Sequence, residues 1–280
     1  MKNFLFFCFL FLFKQVMPIH SQLLYPIVGQ YKKKSAQGMT IYNDSAYLFN
    51  DDGICRVYNL EKKKVVRRFM LSTKASNHVN NACFGIELGS YNRIPLLYTS
   101  ECRNKYRCYV EELLPDTTRL VQTISQTKKG KTVPVLIWAV DRERGLIYSV
   151  TRTEKMLKSE GYALVTIKEF LLPQVAKGRE IILTENDVKN QFQVRFPNVL
   201  QGAVIKEGVL YMVTGYQQTY SYRPESKRAI QVVDLNKKML TKTIDLTYLT
   251  TNEPEDMDFY KGKALLYCGQ EGGIYEVNLK

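Results

Sequence analysis

Gln37–Phe49 reads QGMTIYNDSAYLF, and Gln201–Val213 reads QGAVIKEGVLYMV. Laid one above the other, the two stretches share a Gln-Gly start, and Tyr47 falls on Tyr211. Downstream the same segments continue as VYNLEKK (Val57–Lys63) and VVDLNKK (Val232–Lys238), each followed by another apolar run. A third copy starts at Glu255 with EDMDFYKGKALLYCG and ends in GGIYEVNLK, which echoes DGICRVYNLEK at Asp52–Lys62. Self-similarity at a fixed period marks a repeat architecture, and a missed period misassigns the whole fold.

Two more divergent copies fill the gaps. Asn81–Glu101, NACFGIELGSYNRIPLLYTSE, has a strand, an enlarged turn and Leu-Leu-Tyr, and Leu136–Val150, LIWAVDRERGLIYSV, has a strand, an Arg-Gly turn and Leu-Ile-Tyr. The aligned tyrosines Tyr47, Tyr98, Tyr148, Tyr211 and Tyr267 recur about every 50 to 60 residues, the length of one four-stranded propeller blade. The chain therefore reads as all-β: a single β-propeller of five four-stranded antiparallel blades over 23–280, of the general WD-repeat-like or YVTN-like kind. Six or seven blades is the alternative.

The last unit runs out at Lys280 after three strands, while Leu23–Tyr31, LLYPIVGQY, is an apolar run without a partner of its own. An N-terminal strand completing the last blade hides two open sheet edges. A pair of β-sandwiches is disfavoured, because the period crosses the chain with no Pro- or Ser-rich linker. Glu169–Phe196 departs from the meander. Thr184-Glu185-Asn186-Asp187 suggests a capped turn, and the segment is expected to be an insertion between the third and fourth units, either a surface excursion or a lip over the channel.

Residues 1–22, MKNFLFFCFLFLFKQVMPIHSQ, carry Lys2, an apolar run from Phe4 to Phe13, Lys14 and a stretch ending at Ser21, the pattern of a cleaved secretory signal. The run is short of the roughly 20 apolar residues of a membrane span, and Cys8 lacks the small residues that precede a lipid-anchored cysteine. A secreted or periplasmic protein of a bacterial envelope, monomeric and without a transmembrane segment once mature, is the expectation.

The chain has 40 Lys+Arg against 27 Asp+Glu, a net charge of +13 over 280 residues. Export and the scatter of the lysines over turns such as Lys32–Lys34 and Lys62–Lys64, without interleaved aromatics, argue against nucleic acid. A small molecule, a glycan or an extracellular protein is the expected partner, with anionic surface polymers a further option. The Lys128-Lys129-Gly130-Lys131-Thr132 stretch lacks the upstream glycine of a phosphate loop. It reads as a basic loop tip or a contact for an anionic polymer.

Five cysteines remain after the leader: Cys55, Cys83, Cys102, Cys108 and Cys268. Cys102 and Cys108 flank RNKYR between two strand-like runs, so the pair either bridges the hairpin or supplies two small buried hydrophobes. No CxxC occurs and the chain has 2 His, which excludes an ordinary Cys/His zinc site.

In a propeller the starts of the innermost strands converge on one funnel. Here those starts are Gln37, Asn81, Thr132–Val135, Gln201 and Glu255 with Asp256, and His78, Asn80, Asn198, Asn252 and Glu253 lie nearby. Gln37, Asn81, Asn198, Gln201, Glu255 and Asp256 are thus the candidate ligand-binding residues. Glu255, Asp256 and His78 are the candidate catalytic ones. The competing reading has Gln37 and Gln201 bonding the backbone of neighbouring blades, and Asn-Glu-Pro-Glu-Asp as an acidic turn. Because the acids come from one blade, no metal or cofactor is expected, a divalent cation being the weaker alternative.

Gln201–Tyr216, followed by RAIQVVDLNKK (Arg228–Lys238), TIDL (Thr243–Leu246) and EPEDMDFYKGK (Glu253–Lys263), resembles the glutamine cyclotransferase type of five-bladed propeller. The resemblance implies five blades. That family places an acid just after the Leu-Tyr pair and builds a cage of tryptophans. This chain has Met212 and the single Trp138, so the catalytic pattern is not matched. A non-catalytic exported propeller binding its ligand at the channel mouth is the preferred reading. The alternative is a propeller hydrolase, lyase or cyclotransferase-like enzyme, with Glu255 or Asp256 as general base and His78 or Gln201 orienting substrate.

Overall fold

The computed structural model describes residues 25–26, 36–74, 77–152, 162–197, 199–216, 227–247, 249–269 and 273–280. The expected leader, 1–22, and Asn198 lie outside them.

Blade 1 is the meander β2 (Ala36–Tyr42), β3 (Ser45–Asn50), β4 (Ile54–Asn59) and β5 (Lys64–Met70). Blade 2 is β6 (Asn81–Leu88), β7 (Pro95–Ser100), β8 (Cys108–Leu113) and β9 (Thr118–Lys128), with a short return strand β10 (Lys131–Thr132). Blade 3 is β11 (Val135–Asp141), β12 (Leu146–Arg152), β13 (Tyr162–Leu171) and, after the excursion strand β14 (Glu180–Leu183), β15 (Asn190–Pro197). Blade 4 is β16 (Leu200–Lys206), β17 (Val209–Thr214), β18 (Ala229–Asp234) and β19 (Met239–Asp245). Blade 5 is β20 (Pro254–Tyr260), β21 (Lys263–Cys268) and β22 (Gly273–Val277), and its fourth strand is β1 (Tyr25–Pro26). Tyr25 stands opposite Glu276 and Pro26 opposite Tyr275, antiparallel, so the N-terminal strand closes the ring as the sequence suggested.

Strands buried on both faces read as near-continuous apolar runs because alternate side chains serve two neighbours. In β3, Leu48 enters the cluster shared with blade 5, while Tyr47 and Phe49 enter the cluster shared with blade 2. Five apolar clusters result, one at each blade-to-blade interface. The marker residues Tyr47, Tyr98, Tyr148 and Tyr267 are buried in them. Tyr211 is half-buried, edge-on to Phe259 with ring centroids 5.1 Å apart.

Two expectations change. The departure from the meander falls inside blade 3, between β13 and β15, and not between the third and fourth units. Its strand β14 pairs in parallel with β9 and covers the outer edge of blade 2, where an open edge would invite pairing with another chain. The turn after it, ahead of β15, forms as expected, with a reciprocal Thr184–Asp187 cap.

The Cys102–Cys108 bridge is not formed, and all five described cysteines are free. The register places Cys108 opposite Ser100, with its thiol in the core between blades 2 and 3. The turn is held instead by the buried Glu101, whose carboxylate accepts four backbone N–H bonds, from Arg103, Asn104, Lys105 and Tyr106, at 2.6–2.8 Å. No helix among the described residues is long and apolar enough to cross a membrane.

Candidate functional site

The innermost strands β2, β6, β11, β16 and β20 surround the axis. In β2, β11, β16 and β20 the register slips close to the strand's start, at Ala36/Met39, Val135/Ile137, Leu200/Ala203 and Pro254/Asp256. A bulge there breaks the alternation and re-aims a side chain, which is how residues at neighbouring positions all reach the channel.

Two of the candidate residues tie the blades together. The fully buried Asp256 on blade 5 accepts from Met39 N on blade 1 at 2.8 Å and from Ala82 N on blade 2 at 3.3 Å through Oδ2. Its Oδ1 accepts from Met257 N at 2.8 Å. Asn81 on blade 2 donates through Nδ2 to Trp138 O of blade 3 at 2.9 Å, and its Oδ1 accepts from Ala203 N of blade 4 at 2.6 Å. One carboxylate and one carboxamide thus span all five blades. They occupy backbone groups that the inner strands, having no β-ladder between them, would otherwise leave unpaired. Asn80 adds weaker bonds, at 3.3 Å, to Leu136 O and Gln201 O.

At the mouth, Gln201 donates through Nε2 to Gly215 O at 3.0 Å and to Glu253 Oε1 at 2.9 Å. Glu255 is different from every other acid near the axis. It is 4 % exposed, and no hydrogen bond reaches its carboxyl among the described residues. A Cβ on Gly269 would come within 2.5 Å of Glu255 Oε1, so glycine keeps the wall of the mouth clear of it. Burial pushes the Glu255 carboxyl well above the usual carboxylate range, and the nearby carboxylates of Glu253, Asp256 and Asp51 push it further. Burial also raises Glu253, against the pull of the Gln201 amide. Asp51, in the turn after β3, is a member of this group that the sequence did not single out.

His78 is buried, and no partner meets its Nδ1 among the described residues. Burial and the Arg103 guanidinium hold it down to about 4, with Glu101 opposing. It is therefore neutral at pH 7, and no hydrogen bond joins it to Glu255. Gln37 is half-buried at the start of β2. Among the described residues no group of three or more His, Cys, Asp or Glu side chains is arranged to hold a metal ion.

The far half of the channel widens into a cavity of about 430 Å³ bordered by Thr40, Cys83, Arg142, Lys206 and Asp258. Asp258, pushed up to about 6 by burial, already accepts from Ile41 N at 2.6 Å, Thr40 Oγ1 at 3.0 Å and Phe259 N at 2.7 Å. Its carboxyl is satisfied where that of Glu255 is not.

The Glu255 shift has a thermodynamic sign. A carboxyl whose folded value lies above its unfolded one binds more protons in the native state, so its contribution is lost as pH rises through that window. Glu255→Gln is therefore expected to raise Tm at pH 8 and to leave it nearly unchanged near pH 3, below the ordinary glutamate value of about 4.3, where the wild-type carboxyl is protonated in both states. An equal effect at both pH values in thermal melts would contradict this assignment.

No protein-family model matches the chain, and no curated protein is detectably similar to it in sequence. Among solved structures, glutaminyl cyclase of Myxococcus xanthus superposes with a TM-score of 0.50 over 92% of this chain and 95% of that one, at 14% identity. The chain, a five-bladed propeller, shares the fold of that protein. At this identity the likeness establishes the fold alone. Raptor of Chaetomium thermophilum aligns at TM-score 0.47 and 9% identity, over 93% of this chain and 21% of that one. The designed protein Ika8 aligns at 0.33 and 8%, over 87% and 71%. Neither of these two bears on function.

Proposed function

We propose that this chain is an exported, non-catalytic propeller that binds, at the mouth of its channel, a ligand carrying a cationic group such as a free amine. The observation that carries this reading is the buried Glu255 carboxyl with no hydrogen-bond partner among the described residues, beside Glu253 and Asp51 in an otherwise basic protein. With so little exposure and no donor among the described residues, that carboxyl is poorly solvated, which costs stability. An incoming ammonium would supply both the missing hydrogen bond and the missing charge. Gln201, held by Gly215 of its own blade and Glu253 of blade 5, and Asn80, held by blades 3 and 4, frame the group. Asn81 and Asp256 support this site from below as backbone ties. Export rests on the leader pattern of residues 1–22.

Peptides with free N-terminal amines are expected to raise Tm, and the same peptides acetylated to have no effect. Affinity should rise between pH 5 and pH 8, because an ammonium favours the ionised carboxyl. Glu255→Gln should abolish the response. Equal shifts with free and acetylated peptides, or with wild type and variant, would sink the reading.

The same carboxyl supports a second reading. A protonated buried acid in a cleft is the environment of a general acid or base, and the architectural neighbour is a glutaminyl cyclase. Release of ammonia from an N-terminal glutaminyl peptide, lost in Glu255→Gln, would move the protein to the enzyme class.

A further inference from the structure

Between blades 2 and 3, where Thr132–Pro134 lead into β11, lies a groove of about 880 Å³, within the range of ligand-sized clefts. Lys128, Lys129, Lys131, Arg152 and Lys168 line it, and among the described residues no acidic side chain does. One wall is built by an overhang. Strand β9 runs for 11 residues, against 7 in the outer strands β5 and β19, and turns back through β10. The reversal uses Lys129 and Gly130, both at positive φ (49° and 73°), the geometry of a tight two-residue hairpin turn.

The overhang is poorly designed as a purely structural element. Lys128 stands directly opposite Lys131 in the register, and like charges facing across a two-stranded ribbon destabilise it. Lys128, Lys129 and Lys131 are exposed and make no ion pair among the described residues. At the opposite wall Lys168 is buried and held by Glu185 at 2.6 Å. The floor carries Gln191, Gln193 and Thr151, while Phe192, on the other face of β15, packs against the core between blades 3 and 4.

We propose that this groove binds an acidic polysaccharide, with the lysines of the overhang on its carboxylate or sulfate groups and the amide and hydroxyl side chains on its sugar hydroxyls. Concavity sets the groove against a membrane surface, which cannot enter it. The Phe192 ring, turned toward the core between blades 3 and 4, offers no stacking platform, which sets the groove against single-stranded nucleic acid, whose bases need exposed ones. Binding of this kind rests on charge and falls steeply with salt.

The test uses the full mature chain with polygalacturonate, dextran sulfate, neutral dextran, poly(dT) and vesicles containing anionic phosphatidylglycerol. The variant is Lys128→Gln/Lys129→Gln/Lys131→Gln. The control, Lys62→Gln/Lys63→Gln/Lys64→Gln, removes the same charge from an exposed turn and strand start of blade 1. Polygalacturonate or dextran sulfate is expected to bind with salt-dependent affinity, weakened at least tenfold in the groove variant and less than twofold in the control. Equal losses in the two variants, tighter binding of poly(dT) or vesicles, retention by neutral dextran, or no binding would each overturn the proposal. Glu255→Gln should leave polysaccharide binding unchanged, so failure at the channel mouth and failure at the groove are read separately.

Discussion

Asp256→Ala is expected to destabilise the propeller by about 3 to 5 kcal/mol, lowering Tm by roughly 10 °C, because it strands N–H groups on two other blades at once. Met39 N and Ala82 N point at Asp256 Oδ2 from blades 1 and 2, in a site closed to solvent. Each buried donor left without an acceptor costs about 1–3 kcal/mol, and the excised carboxyl adds a cavity. Relief from burying an acid offsets part of this, since burial pushes the Asp256 carboxyl well up against the pull of its three N–H donors. Asp256→Asn keeps one oxygen for Met39 and Ala82 and loses only the bond from Met257, so its cost should be about 1–2 kcal/mol. Denaturant melts of the two variants decide the matter. A loss under 1 kcal/mol in Asp256→Ala would show that the ring does not depend on this tie.

The fold was legible because each blade repeats the same physical requirement. A strand that packs both faces against neighbouring blades must be apolar throughout, and the tyrosine at the centre of each unit is buried in four of five cases. The unpaired run Leu23–Tyr31 was legible for a similar reason, since an open edge at β22 demands a partner and Tyr25–Pro26 supplies it. The site was legible only as a composition. Gln, Asn and acids at the inner-strand starts do converge, but whether a given side chain meets a ligand or a backbone depends on contacts between residues more than 100 positions apart. Asn81 and Asp256 spend their polar atoms on other blades, and Gln201 divides its amide between Gly215 and Glu253. Glu255, adjacent to Asp256, is left free because the bulge between Pro254 and Asp256 breaks the alternation.

The same limit explains Cys102 and Cys108. The sequence shows two cysteines flanking a short turn, but the pairing register puts Ser100 opposite Cys108. The partner that organises the turn is Glu101, whose four N–H bonds have no spacing signature of their own. The inner aspartates carry a signal that could have been found. Asp256 and Asp258 are two apart, as are the N–H donors they accept from, Met39 N and Ile41 N, so both acids act as substitute carbonyls toward the unpaired edge of β2. Alternating acids on an apolar inner strand therefore indicate a seam between blades as readily as a ligand site.

The glycine of the repeated Gln-Gly start gives the second large effect. A Cβ on Gly202 would overlap the carboxyl group of Asp256, and one on Gly38 would lie 2.7 Å from Val79 O. Asp256 is held by three N–H donors and has nowhere to move, so Gly202→Ala must displace either the carboxyl or strand β16. Overpacking of this kind costs about 1–3 kcal/mol, and the disturbed tie adds to it, for an expected loss of about 3 kcal/mol or more. The two residues should also be coupled. In the Asp256→Ala background the carboxyl that obstructs the new methyl is gone, so Gly202→Ala should then cost about 1 kcal/mol or less, giving an interaction energy of about 2 kcal/mol. Independent, additive losses in this double-mutant cycle would mean that glycine is required by the backbone of β16 alone. Strong coupling would mean that the Gln-Gly start recurs in blade 4 because the channel must stay narrow enough for one aspartate to reach across it.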